Sequence, residues 1–156
     1  MEAVENCPTI SPMRADQVGA VARLRHAAFF VGSSRTVEDD AAGLRHLMRD
    51  RAFEAALVAE QDGEAVGSCL FVREEIDPAH DVGPWLAGLV VDEAHRGRGI
   101  ARSLVAAIEA HAAGLGCSKL YLYADDAEPL YAALGWDVVE RFTQDGQEQV
   151  LMVREL

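Results

Sequence analysis

The segment from Trp85 to Arg102 constrains this chain more than any other. Trp85 to Val91 is a continuous apolar run, the mark of a β-strand covered on both faces. It leads into a turn containing Gly97 and Gly99, and a helical pattern follows at once. Glycine admits positive φ and close approach of a ligand to the backbone. Successive N–H groups in such a turn form an anion nest, and the helix start adds about half a positive charge. Arg96, Arg98 and Arg102 gather here in a chain whose net charge is −12. A local reversal of sign at a helix N-terminus is what a phosphate site requires.

Two common phosphate motifs do not fit. A P-loop needs Gly-Lys-Ser or Gly-Lys-Thr, whereas this turn reads Gly99-Ile100-Ala101. A dinucleotide fingerprint needs a third glycine where Arg102 stands, and too few residues follow Gly99 for the rest of a doubly wound sheet.

The rest of the chain supplies a coarse order. A short strand at Thr9 and Ile10 precedes a helix expected to be capped by Asp16, with Val18, Val21, Leu24 and Phe29 as its apolar stripe. Thr36 and Asp39 form a capping-box pattern before Leu44, Leu47 and Met48. Strands over Ala55–Glu60 and Ala65–Arg73 meet about Asp62-Gly63, a hairpin signal. An acidic loop from Glu74 to Asp81 leads to the strand Trp85 to Val91. A helix over Gly99–Leu115, a strand over Lys119–Tyr123 and a helix over Ala127–Leu134 follow. A final hairpin joins Asp137–Phe142 to Gln149–Arg154 about Asp145-Gly146. The order β-α-α-β-β-β-α-β-α-β-β predicts a mixed α/β fold, one domain over residues 1–156, with a central sheet and helices on both faces.

Charge and composition exclude several function classes. A chain at −12 repels phosphate backbones and anionic lipids, so neither nucleic acid nor a membrane is an expected partner. Cationic amines are favoured in its field. Met1 to Arg14 lacks a basic and an apolar region, and no apolar run approaches a membrane span. Cys7, Cys69 and Cys117 are odd in number and far apart, which suits a reducing, cytoplasmic setting rather than a disulfide framework. The five histidines show no paired metal spacing, so no metal site is expected. No Gly-x-Ser-x-Gly elbow is present for serine hydrolase chemistry.

Arg96-Gly97-Arg98-Gly99-Ile100-Ala101 resembles the (Gln/Arg)-x-x-Gly-x-(Gly/Ala) signature of the GNAT superfamily of N-acetyltransferases. Leu130-Tyr131-Ala132-Ala133-Leu134-Gly135-Trp136 is similar to that family's second signature, Leu-Tyr-x-x-x-Gly-Phe/Trp. The element order matches too, so the resemblance spans nearly the whole chain and implies a mixed, mostly antiparallel sheet.

The resemblance implies acetyl-CoA as cosubstrate. Arg96, Gly97, Arg98, Gly99, Ile100, Ala101 and Arg102 would bind its pyrophosphate, mostly through main chain. Leu89, Val90 and Val91 would hydrogen-bond the pantetheine and turn an N–H toward the thioester oxygen. Tyr131 matches the tyrosine proposed to protonate the leaving thiolate. The family's frequent Asn seven residues before this Tyr is Ala124 here, so that contact is absent or passes to Asp125 or Asp126. Arg35 falls where family members line the acceptor site.

An attacking amine with a pKa near 10.4 spends roughly 4.6 kcal/mol reaching its neutral form at pH 7. A carboxylate, directly or through water, can take that proton during or before attack. Trp85 to Val91 carries no acid, so Glu74 and Glu75, with Asp77 and Asp81 beyond, are the candidate bases. The expected reaction is acetyl transfer to a primary amine of a small molecule or peptide, by direct attack in a ternary complex; a homodimer is left open. The alternative is an acyl-CoA-binding regulatory module without turnover.

Overall fold

Among the described residues, seven strands and four α-helices follow the order read from the sequence. The computed structural model describes residues 8–49, 52–75 and 77–156; Cys7 lies outside them. In chain order the elements are β1 (Thr9–Pro12), α1 (Val18–Arg25), α2 (Val37–Met48), β2 (Ala55–Gln61), β3 (Glu64–Val72), β4 (Trp85–Val91), α3 (Ile100–Gly114), β5 (Lys119–Ala124), α4 (Glu128–Ala133), β6 (Asp137–Gln144) and β7 (Gln147–Glu155). Both Asp-Gly pairs make hairpin turns. Asp62 and Gly63 have φ of 53° and 82°, and Asp145 and Gly146 have 51° and 77°. Positive φ at both central residues gives the turn whose twist matches the flanking strands.

The strands form one sheet in the order β1-β2-β3-β4-β5-β7-β6. Every pairing is antiparallel except β4 with β5. Side chains alternate across it with the period of two that strands impose. Leu57, Ala59, Leu86, Leu120 and Leu122 pack with α3 and α4 on one face. Ala56, Val58, Leu70, Trp85 and Ala87 pack with α1 and α2 on the other. The mixed fold with helices on both faces is therefore present.

Two local departures from expectation have physical causes. Asp16 does not cap α1. A 3₁₀ turn at Ala15–Gln17 comes first, and the Asp16 carboxylate instead accepts from Arg14 Nε at 3.1 Å. The stripe ending in Phe29 also fails, because His26–Phe30 is a π-helical turn. Its wider turn shifts the phase of the following side chains. The buried face of α1 is Val18, Val21, Ala22 and Arg25, while Phe29 is exposed. The Thr36–Asp39 capping box forms as expected, with Asp39 N donating to Thr36 Oγ1 at 3.0 Å and Thr36 N to Asp39 Oδ2 at 2.9 Å.

The sheet opens at its centre. Among the described residues, β4 and β5 register at one pair, Trp85 with Tyr121. Beyond it the two strands part, while β4 stays paired with β3 as far as Gly67 and Val91. The β3–β4 register jumps between Ser68–Val90 and Leu70–Ala87, so Gly88 and Leu89 together oppose Cys69. Such a bulge bends its strand and re-aims side chains. Gly88 takes φ 62° there. The expectation that β4 is covered on both faces holds for Trp85, Leu86 and Ala87, but Leu89 and Val91 are only half-buried beside the opening.

Candidate active site

The free edge of β4 and the start of α3 build one groove. Gly99 is the N-cap of α3 at φ 80°, and no side chain caps the helix. The first intrahelical bond runs from Ser103 N to the Gly99 carbonyl at 3.0 Å. The amides of Ile100, Ala101 and Arg102 thus have no partner inside the helix. Gly97 has φ 79°, and a Cβ at either glycine would meet nothing within 4 Å. These glycines are required for backbone conformation rather than for space. Arg96 Nε donates to the Val91 carbonyl at 3.2 Å, which ties the turn to the end of β4.

The groove encloses about 700 Å³. Leu89, Val90 and Val91 form one wall, and Arg96, Gly97, Gly99, Ile100, Ala101 and Arg102 close one end. Ala127, Leu130 and Tyr131 stand opposite. Within the segment Arg96 to Arg102, Arg98 alone does not line the groove; it is exposed. Asp125 and Asp126 do not line it either; Asp126 N donates to the Asp125 carboxylate at 2.6 Å. Unpaired helix amides beside two arginines suit a phosphate. A strand edge without a neighbouring strand suits an extended ligand carrying amides.

Tyr131 is 6% exposed and packs edge-on against Trp136, with ring centroids 6.0 Å apart. Burial pushes its phenol well above the ordinary tyrosine range, and Cys69 and Asp125 push the same way. Burial likewise raises the Cys69 thiol, while Cys117 is half-buried. His95 Nδ1 meets Asp92 Oδ2 at 2.9 Å, beside the glycine turn.

A second groove of about 900 Å³ lies against the other face of β4. Glu74 and Glu75 line it, as do Glu54, Asp145 and Tyr123. Asp77 and Asp81 are exposed and stand outside it. Tyr131 and the two glutamates are therefore not neighbours; they approach β4 from opposite grooves. Phe29, turned outward by the π turn, lines both grooves and marks where they meet.

The floor of the second groove is a buried ion cluster that sequence reasoning missed. Arg25 Nε and Nη2 donate to the two Asp40 carboxylate oxygens at 2.8 and 3.3 Å. Arg35 Nε donates to Asp40 Oδ1 at 3.1 Å. Arg25 is 6% exposed and Asp40 1%. The Arg35 guanidinium lies 5.2 Å from the Phe30 ring centre and that of Arg25 5.8 Å. The available signal was an arginine on the apolar face of α1. Tyr123 was also missed. Its hydroxyl accepts from Ala79 N at 3.0 Å and meets His80 Nδ1 at 2.9 Å, and His80 Nε2 in turn contacts the Glu140 carboxylate.

Among the described residues, no three His, Cys, Asp or Glu side chains converge as metal ligands. No described helix is long and apolar enough to cross a membrane.

Comparison with known proteins places this architecture. The fold is similar to that of an N-acetyltransferase from Staphylococcus aureus Mu50, with TM-score 0.79, 18% identity, and coverage of 95% of this chain and 98% of that one. It is similar to an aminoglycoside 6'-N-acetyltransferase complexed with coenzyme A, with TM-score 0.77, 16% identity, and coverage of 94% and 96%. A Salmonella typhimurium protein solved with its cofactor acetyl-CoA gives TM-score 0.73, 16% identity, and coverage of 95% and 93%. Comparison with curated protein sequences gives no match. The model of the acetyltransferase (GNAT) family matches residues 20–136, a span that includes both sequence signatures and both grooves' β4 walls. The chain belongs to the GNAT family of acetyltransferases.

Proposed function

We propose that this protein transfers an acetyl group from acetyl-CoA to a primary amine, in a complex that holds both substrates across β4. The observation that carries this reading is the first groove. A strand edge open to an extended ligand runs into an uncapped helix start flanked by Arg96 and Arg102, and Tyr131 stands opposite. Structural neighbours that hold coenzyme A or acetyl-CoA support it.

In this reading Ile100, Ala101 and Arg102 offer main-chain N–H groups to the pyrophosphate, with the Arg96 and Arg102 side chains adding charge. Leu89, Val90 and Val91 hold the pantetheine, and a main-chain donor there stabilises the oxyanion, typically by about 3–4 kcal/mol. The amine enters through the second groove, where Glu74, Glu75, Glu54 and Asp145 attract its ammonium form. Glu74 or Glu75 accepts the ammonium proton directly or through water. The amine nitrogen then bonds to the acetyl carbon as the carbon–sulfur bond breaks. The second proton, which the nitrogen sheds on becoming an amide, passes through water to the departing sulfur; the sulfur leaves as the thiol while Tyr131 donates a hydrogen bond to it. A phenol raised by burial is a poor full acid, so Tyr131 orients and stabilises rather than delivering the proton outright.

Thermal-shift titration with acetyl-CoA, coenzyme A and NAD tests the cofactor. Stabilisation by the two CoA species and not by NAD is expected; no stabilisation by either CoA species overturns the assignment. A thiol-release assay across small amines, polyamines, aminoglycosides and peptide N-termini tests turnover. Binding of acetyl-CoA without release on any class assigns a regulatory acyl-CoA-binding module instead.

A further inference from the structure

We infer that the second groove selects an amine that also carries a carboxylate, as an amino acid does, and that Arg25 and Arg35 hold that carboxylate beside Gly88. This rests on the acetyl-transfer reading above and names the class of its acceptor.

The argument begins with charge. Two arginines share one aspartate, so the cluster retains one positive charge at the floor of a groove that Glu54, Glu74, Glu75 and Asp145 also line. The second observation is an orphan donor. Arg25 Nη1 is buried and has no hydrogen-bond partner among the described residues. A buried charged N–H left unpaired is unfavourable, and native structures rarely keep one without a ligand or function. The third is its place. Nη1 occupies the space that a Cβ on Gly88 would need, at the β4 bulge and next to Leu89. Leu89 begins the free strand edge of the first groove.

The cluster is also held rigid. The bidentate contact with Asp40 fixes the plane of the Arg25 guanidinium, and Phe29 and Phe30 flank it at 6.0 and 5.8 Å. Arg35 is one-third exposed and lines the same groove, with its Nη2 beside Gly43 of α2. A guanidinium held in a fixed plane recognises a planar carboxylate in preference to a point acceptor. Because Nη1 sits at the junction of the two grooves, the carboxylate and the reacting amine must be close together. α- and β-amino acids satisfy this spacing. Their ammonium groups are drawn to Glu74 and Glu75 while their carboxylates go to the arginines.

The test compares a panel of amino acids with their carboxamides and their decarboxylated amines. Thiol release from acetyl-CoA is measured for each, and each amino acid and amide is titrated by calorimetry without cofactor. The carboxylate form is expected to show about tenfold or more higher kcat/KM and tighter binding than its carboxamide. Arg35→Gln is expected to reduce that preference to about threefold or less, with KM for acetyl-CoA unchanged. Arg25→Lys should act in the same direction; if it fails to fold, Arg35→Gln at the one-third exposed position decides. Equal or better use of the carboxamides, or turnover of decarboxylated amines alone, overturns the carboxylate site while leaving acetyl transfer intact. Absence of acetyl-CoA binding overturns acetyl transfer, and calorimetry on the amino acids alone then decides the carboxylate site. Amino acids that bind no better than their amides in that titration overturn it.

Discussion

Arg25 on α1 and Gly88 on β4 occupy one space between them: the guanidinium Nη1 stands where a side chain at position 88 would begin. This close approach joins the buried ion cluster to the bulge at which the two grooves meet. It also separates two roles of glycine in one protein. Gly97 has the same left-handed backbone, yet a Cβ there meets open space.

Gly88→Ala is therefore expected to destabilise the protein by about 2–3 kcal/mol, from overpacking against Arg25 together with backbone strain. Gly97→Ala is expected to cost only about 1 kcal/mol, from strain alone. Urea unfolding of the two variants measures the difference. Equal losses would mean that the overlap at Gly88 is relieved by movement of Arg25.

Asp40 accepts from two guanidinium groups and is 1% exposed. Removing it leaves Arg25 as an uncompensated buried charge. Asp40→Ala is expected to lose about 3–5 kcal/mol of stability, the range for breaking a buried pair. Arg141→Ala, which breaks a pair with Glu128 in which the Arg side chain is 65% exposed, should change stability by about 0–1 kcal/mol. Thermal unfolding of both variants checks the contrast.

Arg102 lines the first groove and Arg98 does not. Arg102→Ala is expected to raise KM for acetyl-CoA by about fivefold to tenfold, with the effect shrinking at high salt. Arg98→Ala is expected to change KM by less than about twofold. Initial rates at low and high ionic strength distinguish them. An equal loss at both positions would place Arg98 on the ligand after all.

Tyr131→Phe is expected to lower kcat by about tenfold with little change in KM for acetyl-CoA, the loss of one transition-state hydrogen bond. The same residue gives a stability signature. Its folded pKa lies above the unfolded value near 10, so its contribution is full below pH 10. Above pH 10 the unfolded chain releases the proton first, and stability falls by about 1.4 kcal/mol per pH unit until the folded phenol also ionises. Tyr131→Phe should remove that part of the alkaline loss between pH 10 and 11. Denaturant titrations at a series of pH values read it directly.

The legible part of the site was local in sequence. Gly97 and Gly99 announced the turn that opens α3, and Asp62-Gly63 and Asp145-Gly146 announced their hairpins. Glu74 and Glu75 were correctly read as near the β4 region, but their separation from Tyr131 by the strand itself was not visible. Arg25 carried a signal that helical spacing contained: it shares the buried face of α1 with Val18, Val21 and Ala22. The π turn after it hid that signal, because it displaced Phe29 from the stripe that a regular helix predicts.

By itself the sequence determined the periodicities, the turn chemistry and the glycine-arginine segment, since each depends on residues a few positions apart. The tertiary structure alone decided where β4 and β5 part, which face of β4 each groove occupies, and how Asp40 of α2 comes to hold Arg25 of α1 against Gly88. Those arrangements depend on a single parallel strand contact and on the packing of two helices across a sheet. Such contacts are set by side-chain volume and twist over distant parts of the chain, which no local pattern encodes.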